Sequence, residues 1–155
     1  MQAANGNLIG WTEWAYSSQG HITTTVSPPS SESLVYNPED LPVRSNVNTA
    51  NLDTLAEPYP QVISGTPTSW SFDNGTFDFT YSTEEADGLG SFPTGSQTTI
   101  SVPTVEFPNG YEVSVTGGQV VSAPDAPELV IASNAGASTV PVVVTSTADG
   151  GAATG

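Results

Sequence analysis

A chain of 155 residues, 36% of them hydrophobic, holds enough for one ordinary domain with a partial element beside it, and its core is of the size a β-sandwich needs. Sixteen Asp and Glu face Arg44 as the single strong base, a formal net charge of −15 that repels phosphate backbones and anionic membranes; nucleic acid is excluded as a partner. With no cysteine and one histidine, His21, neither disulfides nor thiolate chemistry nor a zinc cluster can be assembled, so no metal and no cofactor is expected.

The first residues, Met1 to Asn5, have neither the basic nor the apolar region of a secretory signal, and no apolar run approaches the ~18 residues of a membrane span. The scarcity of Lys beside abundant Thr, Ser, Gly and Val nevertheless points to an extracellular, secreted protein whose signal would lie upstream. Gly10 to Tyr16, read GWTEWAY, is the first strong element. Bounded by Asn5-Gly6-Asn7 and by Ser17-Ser18-Gln19-Gly20, it is predicted to be a buried strand running into a polar loop. Alternation puts Trp11, Glu13 and Ala15 on one face and Thr12, Trp14 and Tyr16 on the other, so one face can pack while the other looks into a site. Residues 19–44 are dominated by polar residues and by Pro28-Pro29, Asn37-Pro38 and Pro42, a loop long enough to be either functional or poorly ordered. A helix is predicted over Asn46–Ala56, capped by Ser45, Asn46 or Asn48, with Val47, Leu52 and Leu55 on its apolar face and Pro58 as its stop.

From Trp70 the period changes to two. Trp70 and Phe72, then Phe77, Phe79 and Tyr81, alternate with polar residues around Asp73-Asn74-Gly75, a strong hairpin signal. Further strands are predicted over Thr98–Val105, Tyr111–Val115, Gln119–Val121, Glu128–Ala132 and Thr139–Thr145, separated by Asn109-Gly110, Gly117-Gly118, Pro124 to Pro127 and Asn134 to Gly136. Seven or eight short strands at this spacing imply an antiparallel, immunoglobulin-like β-sandwich over residues 62–148. Pro141 within the last strand suggests that this strand lies at a sheet edge, and residues 149–155, rich in Gly and Ala, are expected to form a disordered tail.

Gly10–Tyr16 and its polar loop, with Ser33-Leu34-Val35-Tyr36, the run Asn46 to Leu52 and Pro58-Tyr59-Pro60, resemble the last strand, loop and helix of an endoglycoceramidase-like retaining glycoside hydrolase of family 5. The remainder, from Thr66-Pro67-Thr68-Ser69-Trp70 through Phe107-Pro108-Asn109-Gly110-Tyr111, resembles the β-sandwich that follows the barrel in that family. The resemblance implies a mainly β chain in which residues 1–61 are the end of a (β/α)8 barrel (strand, loop, helix) and the sandwich packs on it. A whole barrel needs on the order of 200 residues or more, and nine precede the strand here. The implied parent cleaves the bond between oligosaccharide and ceramide, and its carbohydrate or glycolipid partner is met through that barrel.

The resemblance gives Trp14 the role of the aromatic platform under the sugar beside the scissile bond, against the alternative that it is a core tryptophan. No catalytic residue is expected: a retaining glycosidase needs two carboxyls ~5 Å apart, and Glu13 stands alone on its strand, facing away from Trp14. His21 is either a rim contact or a solvated loop residue. Asp73, Asn74, Asp78, Glu84, Glu85 and Asp87 lack the spacing of a calcium loop and are read as a solvated acidic surface. The aromatics Trp70, Phe72, Phe77, Phe79, Tyr81, Phe92, Phe107 and Tyr111 are mostly core by their alternation. An exposed coplanar pair among them is what would argue for the alternative function, a stand-alone β-sandwich that binds carbohydrate or lipid or serves as a structural interaction module.

Overall fold

The computed structural model describes residues 2–8 and 33–147, grouped in two compact units: 2–8 with 57–147, and 33–56. The expectations for the strand Gly10–Tyr16, including Glu13 and Trp14, for His21 and for the tail 149–155 fall outside the described residues.

The larger unit opens with a one-turn helix α1 (Gln2–Asn5) and then carries eight strands: β1 (Tyr59–Val62), β2 (Thr66–Asp73), β3 (Thr76–Ser82), β4 (Gln97–Ser101), β5 (Tyr111–Val115), β6 (Gly118–Val120), β7 (Glu128–Ser133) and β8 (Thr139–Ser146). They form two four-stranded antiparallel sheets, ordered β1-β4-β7-β6 and β2-β3-β8-β5. Phe77, Phe79 and Tyr81 of β3 and Val140, Val142 and Val144 of β8 bury their side chains from one sheet, while Ile100 of β4 and Leu129 and Ile131 of β7 bury theirs from the other. Both sets belong to one apolar cluster, which makes the unit an antiparallel β-sandwich.

The sequence dictates much of this arrangement. Asn74 and Gly75 both adopt positive φ, 47° and 71°, which is the two-residue turn whose twist suits a hairpin, and Asp73 pairs with Thr76 across it. Along β3 the odd residues are apolar and the even ones polar, so a single register fixes which face is buried. Strand β4 stops at Ser101 rather than at Val105, because Pro103 begins a turn in which Glu106 and Phe107 donate their N–H groups to the Pro103 carbonyl. Val102 and Phe107 still reach the core, from that turn. Strand β1 runs across the boundary expected at 61/62; its four residues and a bulge between Pro60 and Val62 leave too short a pattern to read from sequence.

The expected edge position of the last strand is corrected. Strand β8 lies between β3 and β5, inside its sheet. Its pairing with β5 ends at Val115 opposite Val142, and Thr116 beyond that end donates to the Pro141 carbonyl at 3.1 Å. The missing Pro141 N–H therefore falls just past the end of β5, where its loss breaks no strand-to-strand bond.

Buried polar groups tie the connections down. The Ser64 N–H donates to the Thr98 hydroxyl at 3.0 Å and the Ser64 hydroxyl to the Gln97 carbonyl at 2.6 Å, joining the β1–β2 link to β4. Asn5 of α1 is buried and its amide donates to the Glu57 carboxylate at 2.6 Å.

In the smaller unit the predicted helix divides in two. A 3-10 turn covers Arg44–Asn46 and α2 covers Thr49–Leu55, with the Asn48 side chain accepting from the Asn51 N–H. Asn46 does not enter the helix because its amide is committed elsewhere: it accepts from the Asn37 N–H at 2.8 Å and donates to the Asn37 carbonyl at 2.7 Å. Val35 bridges to Val47 and is buried, and the helix itself buries no residue completely.

Tyr81 is fully buried and its hydroxyl has no hydrogen-bond partner; burial pushes the phenol above its usual 10.0, and the Thr98 hydroxyl opposes the shift without reaching bonding geometry. Tyr111 is raised as well, by burial first and by Asp125 second. A folded value above the unfolded one means that the stabilising contribution is complete below pH about 10 and is lost as pH climbs through the raised folded values. Tyr81→Phe, which deletes a buried hydroxyl that bonds to nothing, should change stability at neutral pH by at most about 1 kcal/mol, in the favourable direction, and should flatten the loss of stability above pH about 10. Urea unfolding followed by circular dichroism from neutral to alkaline pH measures both. A loss beyond about 2 kcal/mol at neutral pH would mean that the hydroxyl is bonded after all.

Candidate functional site

Trp14, the one residue assigned to substrate from the sequence, lies outside the described residues, as do Glu13 and His21. The acidic residues are placed apart. Asp73 and Asn74 occupy the β2–β3 turn, where Asn74 donates to the Asp73 carboxylate at 3.1 Å, whereas Glu84, Glu85 and Asp87 lie beyond the opposite end of β3. Among the described residues no three His, Cys, Asp or Glu side chains come close enough to hold a metal, and no helix is long and apolar enough to cross a membrane.

Among the described residues, hollows open at two places on the sandwich surface. The first, about 170 Å³, is lined by Val102, Phe107, Pro108, Tyr111 and Asp125. The Tyr111 ring meets Phe107 edge-on at 5.8 Å, and Phe107 in turn meets Phe72 at 6.1 Å. The polar groups of Tyr111 and Asp125 are engaged with their neighbours: the Tyr111 N–H donates to Asp125 Oδ1 at 2.9 Å and the Tyr111 hydroxyl to the Ala126 carbonyl at 2.7 Å. Asp125 holds the loop before β7 against the start of β5, at the cost of a positive φ of 55°. This hollow is a staple.

The second hollow, about 270 Å³, opens between the β3–β4 loop and the β7–β8 loop and is lined by Thr83, Ser91, Phe92, Thr94, Ser133, Asn134 and Ser138, with Gly136 and Ala137. Backbone bonds frame it: Thr83 N–H to the Ser138 carbonyl at 3.0 Å, Phe92 N–H to the Thr83 carbonyl at 2.8 Å, and Gly95 N–H to the Ser133 carbonyl at 2.9 Å. The Thr83 hydroxyl adds a bond to the Ala137 carbonyl at 2.8 Å. Ser91, Phe92, Thr94, Asn134 and Ser138 form an exposed rim around buried Thr83 and Ser133. Phe92 was grouped with the core aromatics in the sequence, yet 36% of its surface is exposed. Its flanks, Gly90-Ser91 before and Pro93-Thr94-Gly95 after, carry the loop signal that separates it from the alternating strands.

The profile of the glycoside hydrolase family 5 C-terminal domain matches residues 58–144, more than half of the chain. The chain belongs to this family. The matched stretch of the family 5 C-terminal domain begins one residue before β1 and ends within β8, so it coincides with the sandwich. Endoglycoceramidase I of Rhodococcus hoagii (strain 103S) is 38% identical over 74 residues, 46% of this chain and 13% of that protein. Solved structures of endo-glycoceramidase II from Rhodococcus sp., as a lactosyl-enzyme intermediate and as a ganglioside GM3 complex, are 30% identical, cover 68% of this chain and 22% of theirs, and have TM-scores of 0.49 and 0.48. The chain thus spans less than a quarter of the length of these relatives.

The staple of the first hollow is open to test. Gly110 has a φ of +88°, and a Cβ there would lie 2.5 Å from Asp125 Oδ1. Gly110→Ala should cost about 1–3 kcal/mol in urea unfolding, from backbone strain and from the carboxylate it displaces. Combined with Asp125→Ala, it should cost less than the two single changes summed, because the clash is then absent. Strict additivity would show that the two residues do not meet.

Proposed function

We propose that this chain is the C-terminal portion of a retaining glycoside hydrolase that acts on glycosphingolipids or related β-glycosides, after the manner of endoglycoceramidases. One observation carries the reading: the family 5 C-terminal domain match over residues 58–144, joined to 38% identity with endoglycoceramidase I. In this reading residues 10–56 supply the last strand, loop and helix of a (β/α)8 barrel, and the sandwich, which takes in β1 ahead of the expected 61/62 boundary, is the accessory domain packed on it; the parent is secreted.

The two outer faces of the sandwich differ in a way that supports such packing. On the sheet β2-β3-β8-β5 the outward row runs Ser71, Asp78, Val143 and Ser114, polar but for Val143. On the sheet β1-β4-β7-β6 the row across Val62, Thr99 and Val130 continues to Val121, and Val62 is 58% exposed. An apolar row of this kind gains from a neighbouring domain.

Trp14 is proposed as the sugar platform. The C–H groups on a sugar face meet the electron-rich face of an aromatic ring, and a sugar that flattens toward an oxocarbenium ion meets it more closely. The ring would then stabilise the transition state beyond the ground state, which is the condition for it to raise kcat. The acid/base and the nucleophile belong to earlier barrel strands, so this chain contributes binding and support, not bond cleavage.

Two assays test the reading. The chain by itself should release no oligosaccharide from a glycosphingolipid and no chromophore from an aryl glycoside; turnover that survives repurification and vanishes in Glu13→Gln would contradict it. In the complete enzyme, Trp14→Ala should lower kcat/KM by about two orders of magnitude or more, about 3 kcal/mol in barrier. Trp70→Ala, on the sandwich, should lower stability and leave the activity per folded molecule near normal. Full activity in folded Trp14→Ala would make that residue core and remove the platform.

A further inference from the structure

We infer that the groove between the β3–β4 and β7–β8 loops is a second carbohydrate site, which takes one ring of a neutral sugar against Phe92. Four observations converge on it. The first is the position of Phe92. The sandwich buries Phe77, Phe79 and Tyr81 completely and Phe107 almost so, but leaves Phe92 on the rim. Fully burying a phenylalanine is worth about 1.5–3 kcal/mol, so the 36% of Phe92 left at the surface forgoes part of that stabilisation and is available to a ligand.

The second is the chemistry around that ring. Ser91, Thr94 and Ser138 bring hydroxyls and Asn134 an amide, all on exposed residues lining the groove. Each of these groups both donates and accepts, as does each hydroxyl of a sugar, and none carries a full charge. Glu84, Glu85 and Asp87 lie on the same β3–β4 loop, so the local field disfavours phosphate, sulfate or a sugar acid. Polar rim, single aromatic face and negative surroundings together select an uncharged polyol.

The third is size. At about 270 Å³ the groove falls just short of the ~300–1,000 Å³ that enclose drug-sized ligands, which suits one sugar ring and leaves no room for a ceramide tail. The fourth is rigidity. The backbone bonds from Thr83 to Ser138, Phe92 to Thr83 and Gly95 to Ser133 fix both loops, so little freedom is lost when a ligand arrives. One stacked ring with a few hydrogen bonds exposed to water gives weak affinity, Kd on the order of 1 mM. Such a site holds a glycan near an enzyme rather than cleaving it.

The site stands on the sandwich alone and is read without turnover, so its failure would leave the hydrolase reading untouched, and failure of the hydrolase reading would leave the site untouched. The experiment is an NMR titration of the full chain, 15N-labelled, with lactose up to roughly 50 times the expected Kd. Amides of residues 91–95 and 134–138 should shift along a saturating curve, and N-acetylneuraminic acid at equal concentration should move them much less. Phe92→Ala should weaken lactose at least tenfold while the remaining spectrum stays that of the folded protein; should that variant not fold, Phe92→Leu keeps the apolar bulk without the ring face and carries the same expectation. Asn134→Ala should weaken binding without affecting the fold. Absence of saturable shifts in the two loops, shifts indifferent to loss of the Phe92 ring, or stronger binding of the acidic sugar would each overturn the assignment.

Discussion

The pairing of β3 with β8 is the contact on which the rest of the sandwich depends. Phe77 faces Val144, Phe79 faces Val142 and Tyr81 faces Val140, three aromatic-to-branched pairs in unbroken register on one face. Such cross-strand pairs contribute about 0.2–1 kcal/mol each beyond simple burial, and a slip of β3 by one residue would turn its three rings to water. The rings also stack on one another along β3, Phe77 to Phe79 at 6.2 Å and Phe79 to Tyr81 at 5.5 Å. This ridge is what Ile100, Leu129 and Ile131 of the opposite sheet pack against. The cost is the Tyr81 hydroxyl, buried with the Thr98 hydroxyl near it but without a hydrogen bond.

Because the central strands carry the core, the loops at their ends are free to differ. Between β2 and β3 the connection is two residues, with no room for anything but the turn. Between β3 and β4 it is fourteen residues, from Thr83 to Ser96, long enough to fold back on itself through the Glu84–Ser91 bridge and to carry Phe92 outward. Long loops on a rigid scaffold are where binding residues gather, and this one is tied by backbone bonds to β7 and to the β7–β8 loop. The hollow at the other loops differs in kind, since Asp125 and Tyr111 spend their polar groups on each other and on the backbone.

The sequence was most legible where local chemistry and tertiary packing agree. Asp73-Asn74-Gly75 demanded a tight turn and the flanking alternation demanded strands, so β2 and β3 could be drawn from residues alone. It was misleading where tertiary context decides: Pro141 argues for an edge, and only the early end of β5 makes its central position tolerable. Strand β1 offers four residues, three of them exposed and the fourth a proline, which is too little pattern to separate from a linker. Asn46 looks like a helix residue and serves instead as a clamp on residues 37–41, a role visible only once its partners are placed. The candidate groove was illegible for the same reason: Ser91, Phe92 and Thr94 stand some forty residues from Asn134 and Ser138, and nothing in the spacing joins them. The family resemblance, carried by motifs rather than by periodicity, located the sandwich that the family 5 match covers.

The central physical claim is that both sheets stand or fall on one shared core. Native-state hydrogen exchange on the full chain, read residue by residue, tests it most directly. The account predicts that the amides of β3 and β8 in one sheet and of β4 and β7 in the other exchange slowest of all and with a common opening free energy equal to that of global unfolding. Two distinct free energies, with β4 and β7 opening well before β3 and β8, would show that the sheets are separate cooperative units and would contradict the account.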